Sequence, residues 1–265
     1  MSSDDYPFRF GGIERLYGRQ AAQAFRDAHI AVAGLGGVGS WAAEALARNG
    51  IGTITLIDMD DVCVSNTNRQ LHALEGQYGR TKTDVMAERL RAINPQINVQ
   101  IHFGFVTAKN VSTLITQELD GVIDAIDSVK SKAALIAHCQ RQKIPLVVAG
   151  GAGGQIDPTR IEVADLARTT QDPLLAKVRN LLRREYGFSR NPKRRFGIEA
   201  VYSTEQLLYP AANGGVCHQK PDTGGPVRLD CATGFGAAVS VTATFGLIAA
   251  SRLVNRIARK AAQTA

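Results

Sequence analysis

Residues 30–69 restrict the fold of this chain more than any other stretch. Residues 30–33 form a short apolar run of the kind a buried parallel strand shows. Gly34, Gly36 and Gly39 follow at G-x-G-x-x-G spacing, with Gly37 and Ser40 completing a loop that opens a helix. Such a loop needs glycine because it turns tightly, its N–H groups approach a phosphate with no Cβ in the way, and the helix packs close to its strand. Residues 53–57 read as a second strand ending at Asp58, 19 residues after Gly39, where a carboxylate can accept hydrogen bonds from a ribose. A β-α-β unit cradling a phosphate-bearing ligand follows, and taken alone it fits a dinucleotide.

What comes after Asp58 fits a triphosphate better. Residues 58–70, D-M-D-D-V-C-V-S-N-T-N-R-Q, are dense in polar groups just past the end of a strand, the edge at which ligands bind. A triphosphate calls for cations and side-chain donors, and Arg15, Arg69 and Lys82 can supply them. Lys82 falls in the first turn of a helix over residues 82–94, an unfavourable place for a cation unless a phosphate is near. Residues 121–127 read as another buried strand that ends in the carboxylate of Asp127. One such carboxylate beside phosphates satisfies Mg²⁺, although Asp127 also stands where it could cap the helix over residues 128–142.

These residues together carry a family resemblance. G-L-G-G-V-G-S, D-x-D-x-V-x-x-S-N-x-N-R-Q, Lys82 and the D-A-I-D ending at Asp127 resemble the ATP-dependent carboxylate-adenylating superfamily of ThiF, MoeB and the ubiquitin-activating enzymes. Within it the chain is most similar to the tRNA threonylcarbamoyladenosine dehydratases, through R-F-G-G-I-E-R-L-Y-G, A-G-G-A-G-G-Q-I-D-P-T-R, S-T-E-Q and C-A-T-G-F-G. The resemblance implies ATP contacts from Gly34, Gly36, Gly37, Gly39, Asp58, Asp60, Arg69, Lys82, Asp127 and Ser128. Arg15, Asn68, Arg69, Lys82 and Asp127 would act on the reacting phosphates, and Asp127 would hold Mg²⁺. It also implies a homodimer in which Arg15 reaches the partner's ATP, and it makes a cysteine-desulfurase or sulfur-acceptor system a candidate partner.

The 265 residues carry a formal net charge of +7, which favours an anionic partner. Between Lys177 and Arg195 eight basic residues stand against one acid, Glu185. Arg183, Arg184, Lys193, Arg194 and Arg195 are the candidate tRNA contacts, with Tyr186, Phe188 and Phe196 offering rings for stacking on unpaired bases; a solvated face is the alternative. Four cysteines, Cys63, Cys139, Cys217 and Cys231, include no C-x-x-C pair, so no zinc is expected, whereas many sulfur-carrier activators of the superfamily hold one on two such pairs. Cys217, next to His218, and Cys231 are the candidate reactive thiols. The polar, acidic start of the chain shows no signal peptide, and a cytoplasmic location is expected.

The pattern β-α-β-α-β-α-β-α-β predicts an α/β, Rossmann-like fold: a mostly parallel sheet with helices on both faces, plus a smaller C-terminal part with antiparallel strands and a long apolar helix. The expected divisions are an N-terminal arm (1–29, helical from Glu14), a nucleotide-binding core (30–154), and a substrate-binding and dimerisation part (155–265). A helix over 106–119, an antiparallel strand pair within 156–163 and a loop over 205–228 belong to this expectation. Residues 232–250 lack charge but are rich in small and polar residues, which favours a core or interface helix over membrane insertion. The expected reaction is ATP-dependent cyclisation of N6-threonylcarbamoyladenosine beside the anticodon, through adenylation of its carboxylate. The rivals are adenylation of a ubiquitin-like or sulfur-carrier protein and an NAD-dependent dehydrogenase.

Overall fold

A computed structural model of the chain describes residues 5–211, 213–219 and 236–263. β1 (His29–Ala33), β2 (Thr53–Asp58), β3 (Asn98–Phe103), β4 (Gly121–Asp124) and β5 (Leu146–Ala149) pair in parallel in the order β3-β2-β1-β4-β5. The sheet does not stop at the expected division. β7 (Glu199–Ser203) adds in parallel to β5, and β6 (Ile161–Asp165) closes that edge antiparallel to β7, giving seven strands. The expected strand pair within 156–163 is therefore one strand whose partner lies some forty residues on, because Pro158 opens a 3₁₀ turn there instead. β8 (Tyr209–Pro210) and β9 (Val216–Cys217) form a separate small hairpin.

Alternation along β1 shows why both faces are covered. Ile30 and Val32 belong to one buried cluster and Ala31 and Ala33 to the other, so each side of the strand needs its own helical layer. The first layer holds α2 (Arg19–Asp27), α3 (Gly39–Arg48), α4 (Lys82–Ile93) and α8 (Val239–Gln263); the second holds α5 (Val111–Leu114), α6 (Val129–Gln142) and α7 (Pro173–Glu185). α1 (Tyr6–Tyr17) starts well before Glu14 and is tied down by the Tyr6 hydroxyl, which donates to Gly50 O at 2.7 Å. The helix expected over 106–119 shrinks to α5. Asn110 Oδ1 accepts from Thr107 N at 2.7 Å and holds the preceding residues in a turn.

α8 spans the first layer from one edge of the sheet to the other. Near its start Thr242 abuts Gly37, and a Cβ on Gly246 would come within 2.4 Å of Val38 O, so the missing side chain lets α8 lie against α3. Further along, Leu253 lies over Gly121, where β4 begins. Among the described residues no helix is long and apolar enough to cross a membrane.

Candidate active site

The winding of the parallel sheet reverses between β1 and β4, and a crevice opens there past their C-terminal ends. The glycine loop lies across it. Gly34 takes φ +88°, and a Cβ there would stand 2.8 Å from Ala125 O, just past β4. A Cβ on Gly39 would come within 1.7 Å of Gly34 O, so the loop cannot close around any side chain at that position. Gly36 is different: nothing lies within 4 Å of where its Cβ would be. The N–H groups of Gly36, Gly37 and Val38 donate to no group among the described residues. Three uncommitted donors at the start of α3 make a cradle for an anion.

Asp58 fastens this loop to β2. Its carboxylate accepts from Leu35 N at 2.5 Å and from Asp60 N at 2.8 Å. Lys82, the first residue of α4, is 6% exposed, and its ammonium lies 2.8 Å from Asp60 Oδ2. The cation that looked misplaced in a helix's first turn is thus held by a carboxylate. Arg69 Nη1 donates to Ser65 O and to Asn68 Oδ1, each at 2.9 Å, while its stem runs beside Gly37; Asn68 Nδ2 donates to Ala237 O at 2.7 Å. The fold therefore brings Gly34, Gly36, Gly37, Gly39, Asp58, Asp60, Asn68, Arg69 and Lys82 to one edge.

Asp127 and Ser128 reach the same edge past β4, which ends at Asp124 rather than at Asp127. Ser128, not Asp127, caps α6, its Oγ accepting from Ser131 N at 3.5 Å. Asp127 is exposed and bonds to nothing among the described residues, so its oxygens are available to a hard cation such as Mg²⁺. No group of three or more His, Cys, Asp or Glu side chains among the described residues is placed to hold a metal, so a cation here would complete its shell with phosphate and water. Arg15 is exposed on the last turn of α1 and donates to none of these residues.

Three buried ionisable groups nearby escaped the sequence reading. Lys132 and Asp124 are both fully buried and lie 2.8 Å apart, and Lys132 Nζ also donates to Asp124 O at 3.2 Å. Burial pushes the Asp124 carboxyl up against the pull of Lys132. Only a lysine inside the apolar run of α6 hinted at this pair. His72 is 1% exposed and neither ring nitrogen has a partner among the described residues; burial, then the charges of Lys82 and Arg89, pull its pKa down to about 4.

The thiols and the basic run require corrections. His218 Nδ1 faces Leu207 O at 3.1 Å and Cys217 Sγ faces Gln219 O at 3.3 Å, so each is engaged with backbone and they do not pair as nucleophile and base. Burial holds the Cys139 thiol up at about 12, and Cys231 lies outside the described residues. Phe188 and Phe196 are buried edge to face with centroids 4.9 Å apart, so neither ring is presented for base stacking. Arg183 covers the Phe196 ring and donates to Ser189 O, and Arg184 pairs with Glu185, whereas Lys193, Arg194 and Arg195 are exposed. Asp165 accepts from Phe196 N and Gly197 N, which fixes this loop just ahead of β7, at the edge opposite the glycine loop.

A model of the ThiF family matches residues 13–264. The chain belongs to the ThiF family. It is similar to the tRNA threonylcarbamoyladenosine dehydratase of Escherichia coli (strain K12), with 59% identity over 98% of this chain and 97% of that protein. Two solved structures of an E. coli tRNA N6-threonylcarbamoyladenosine dehydratase, one in complex with ATP and one with AMP, superpose at TM-scores of 0.88 and 0.87. Each is 54% identical, the first covering 100% of both chains and the second 99% of both. In this ThiF family member the glycine loop and the residues expected to contact ATP at the strand ends lie along one crevice.

Proposed function

We propose that this protein is an ATP-dependent tRNA-modifying enzyme that dehydrates N6-threonylcarbamoyladenosine by adenylating its carboxylate. The observation that carries this reading is the anion cradle: three backbone donors without an acceptor among the described residues, at the same edge as Arg69 and Lys82, in a chain 59% identical to a dehydratase of that name. The substrate carboxylate attacks the α-phosphorus of ATP; a P–O bond forms, the bond to the β-phosphate breaks and pyrophosphate leaves. The carbamoyl group of the same nucleoside then attacks the acyl carbon, AMP departs with the former carboxylate oxygen, and one proton is released. The net change is loss of water from the nucleoside, so the chemistry requires no protein thiol.

In this reading Gly36, Gly37 and Val38 donate to phosphate oxygens, while Arg69, with Asn68 orienting it, and Lys82 stabilise the charge that develops on them. Asp60 keeps Lys82 aimed before the nucleotide arrives. Asp58 shapes the loop and lies where a ribose would bind, and Ser128 sits at the start of α6 beside the phosphates. Asp127 would hold Mg²⁺, which would supply charge neutralisation on the triphosphate. Arg15, exposed on the last turn of α1, is assigned to the ATP site of a second copy in a homodimer, with residues 1–29 as the N-terminal arm that presents it. The reading further keeps a core over 30–154, a substrate and dimer part over 155–265 with the long helix α8, a cytoplasmic location, no zinc, and a sulfur-acceptor system as a candidate partner.

The test is ATP/pyrophosphate exchange with tRNA carrying threonylcarbamoyladenosine, run beside ubiquitin-like and sulfur-carrier proteins. Exchange and AMP release with the tRNA alone are expected. Exchange stimulated only by a carrier protein would replace this reading with the carrier-activating one.

A further inference from the structure

The edge where the strands begin carries a cleft of about 850 Å³ that the adenylation site leaves unused. Its floor is the start of β5 and β7 around Pro145 and Glu199, and its walls are the end of α6 and the last turns of α8. The acids that line it are engaged: Asp120 accepts from His29 N at 3.0 Å, and Glu199 takes both Nε and Nη2 of Arg252. Lys143, Arg256 and Arg259 line the same cleft, are exposed, and have no acidic partner among the described residues. Lys143 even occupies a left-handed C-cap, φ 58°, a position usually given to glycine or asparagine. Asp120 and Glu199 are outnumbered in the lining by Lys143, Arg252, Arg256, Arg259 and Lys260, and such an excess of positive charge on a concave surface favours a polyanion.

Two features give the size of that polyanion. The loop carrying Lys193, Arg194 and Arg195 leads directly into β7 at Glu199, so its charges continue the cleft along the same edge. α8 runs from Thr242, beside the glycine loop, to Arg259, in the cleft. Seventeen residues at 1.5 Å each separate the two by about 26 Å. A nucleotide bound at the loop reaches nothing there, whereas a folded RNA arm spans the distance.

We infer that this cleft docks the phosphate backbone of the tRNA, away from the base being modified. The inference rests on the tRNA reading above. Phosphate contacts of this kind fix register and orientation and leave sequence unread. The lower edge would then position the RNA while the upper edge performs the chemistry.

The test compares wild type with the triple variant Lys143→Gln/Arg256→Gln/Arg259→Gln, all at exposed positions. Binding of modified tRNA is measured against salt, KM and kcat are measured for the same RNA, and ATP and inorganic pyrophosphate binding are measured by calorimetry. Each lost phosphate contact removes about 0.7 to 0.9 from the slope of log affinity against log salt, so a fall of about two is expected. KM for tRNA should rise at least roughly tenfold while kcat, ATP affinity and the melting temperature hold. Unchanged tRNA affinity and slope would overturn the inference. So would loss of pyrophosphate binding with tRNA binding intact, which marks a small-anion site, or dissociation of the oligomer in sedimentation, which marks a subunit contact. Wild type that binds tRNA but forms no AMP with it would instead defeat the dehydratase reading, and the salt slopes would still report on the cleft.

Discussion

At the edge where the parallel strands end, positive charge is held in place: Lys82 is buried against Asp60, Arg69 is fixed by Ser65 O and Asn68, and the remaining donors are backbone N–H groups. At the edge where they begin, Lys143, Arg256, Arg259, Arg194 and Arg195 are exposed and free of acids among the described residues. The contrast separates two tasks. Stabilising charge on a reacting phosphate needs donors whose positions are paid for in folding, because reorganisation during the reaction would add to the barrier. Holding a long polyanion needs only density of charge, since the energy comes from released counterions.

The largest effect that sharpens this contrast comes from two glycines three residues apart. Gly39→Ala places a methyl 1.7 Å from Gly34 O, and the loop must open to accept it. Loss of nucleotide binding together with a lowered melting temperature is expected. Gly36→Ala meets nothing within 4 Å, so the fold should melt as wild type does, yet its methyl stands in the proposed phosphate cradle. Calorimetry showing ATP bound normally by Gly36→Ala would place the phosphates elsewhere.

Lys82→Ala comes next. Removing one preorganised donor from a developing charge typically costs 10²–10³-fold in rate, about 3–4 kcal/mol. AMP formation should fall by that factor while the salt slope for tRNA stays unchanged. A variant that kept full turnover would reduce the Lys82–Asp60 pair to a brace for α4.

The different fates of the sequence expectations have a common physical origin. The glycine loop was legible because Gly34, Gly36 and Gly39 answer to local geometry, and the placement of Lys82 was legible because a helix's first turn announces itself in the sequence. Partners across the fold were not. Nothing local joins Lys82 to Asp60 over 22 residues, and the lysine in the apolar run of α6 does not by itself name Asp124 as its partner, since both pairings depend on where α4 and α6 land on the sheet. The same gap explains Phe188 and Phe196: aromatic residues among arginines look available, but Asp165 and Gln140 pull the loop onto the second layer and turn the rings inward. β6 was misjudged because an edge strand's partner is a tertiary fact.

A smaller effect concerns the neutral histidine behind Lys82. The His72 pKa is about 4 in the folded chain against 6.5 in the unfolded one, so its contribution is fully present above pH 6.5. It is lost as pH falls toward 4, where the unfolded chain binds a proton that the folded chain refuses. The 2.5-unit difference amounts to roughly 3 kcal/mol. In urea titrations the stability gap between wild type and His72→Leu should therefore shift in favour of the variant by about that amount between pH 7.5 and pH 4. A gap independent of pH would mean that His72 ionises freely in the folded state, and that the surroundings of Lys82 are wetter than its burial implies.

The smallest effect tests whether the lower edge is one surface or two. Arg194→Ala/Arg195→Ala removes two exposed cations from the loop that feeds β7, without touching the buried rings of Phe188 and Phe196 or the cap that Asp165 provides. If the loop and the cleft follow the same backbone, the salt slope should fall by about 1.4 to 1.8. Combining the pair with the cleft variant should give a fall close to the sum of the two, because separate phosphate contacts release separate counterions. A double variant indistinguishable from wild type would leave the loop as a solvated face and confine docking to the cleft. Should the combined variant lose no more than the cleft variant alone, the two groups share the same phosphates. The docking surface would then be narrower than the run of arginines in the sequence suggests.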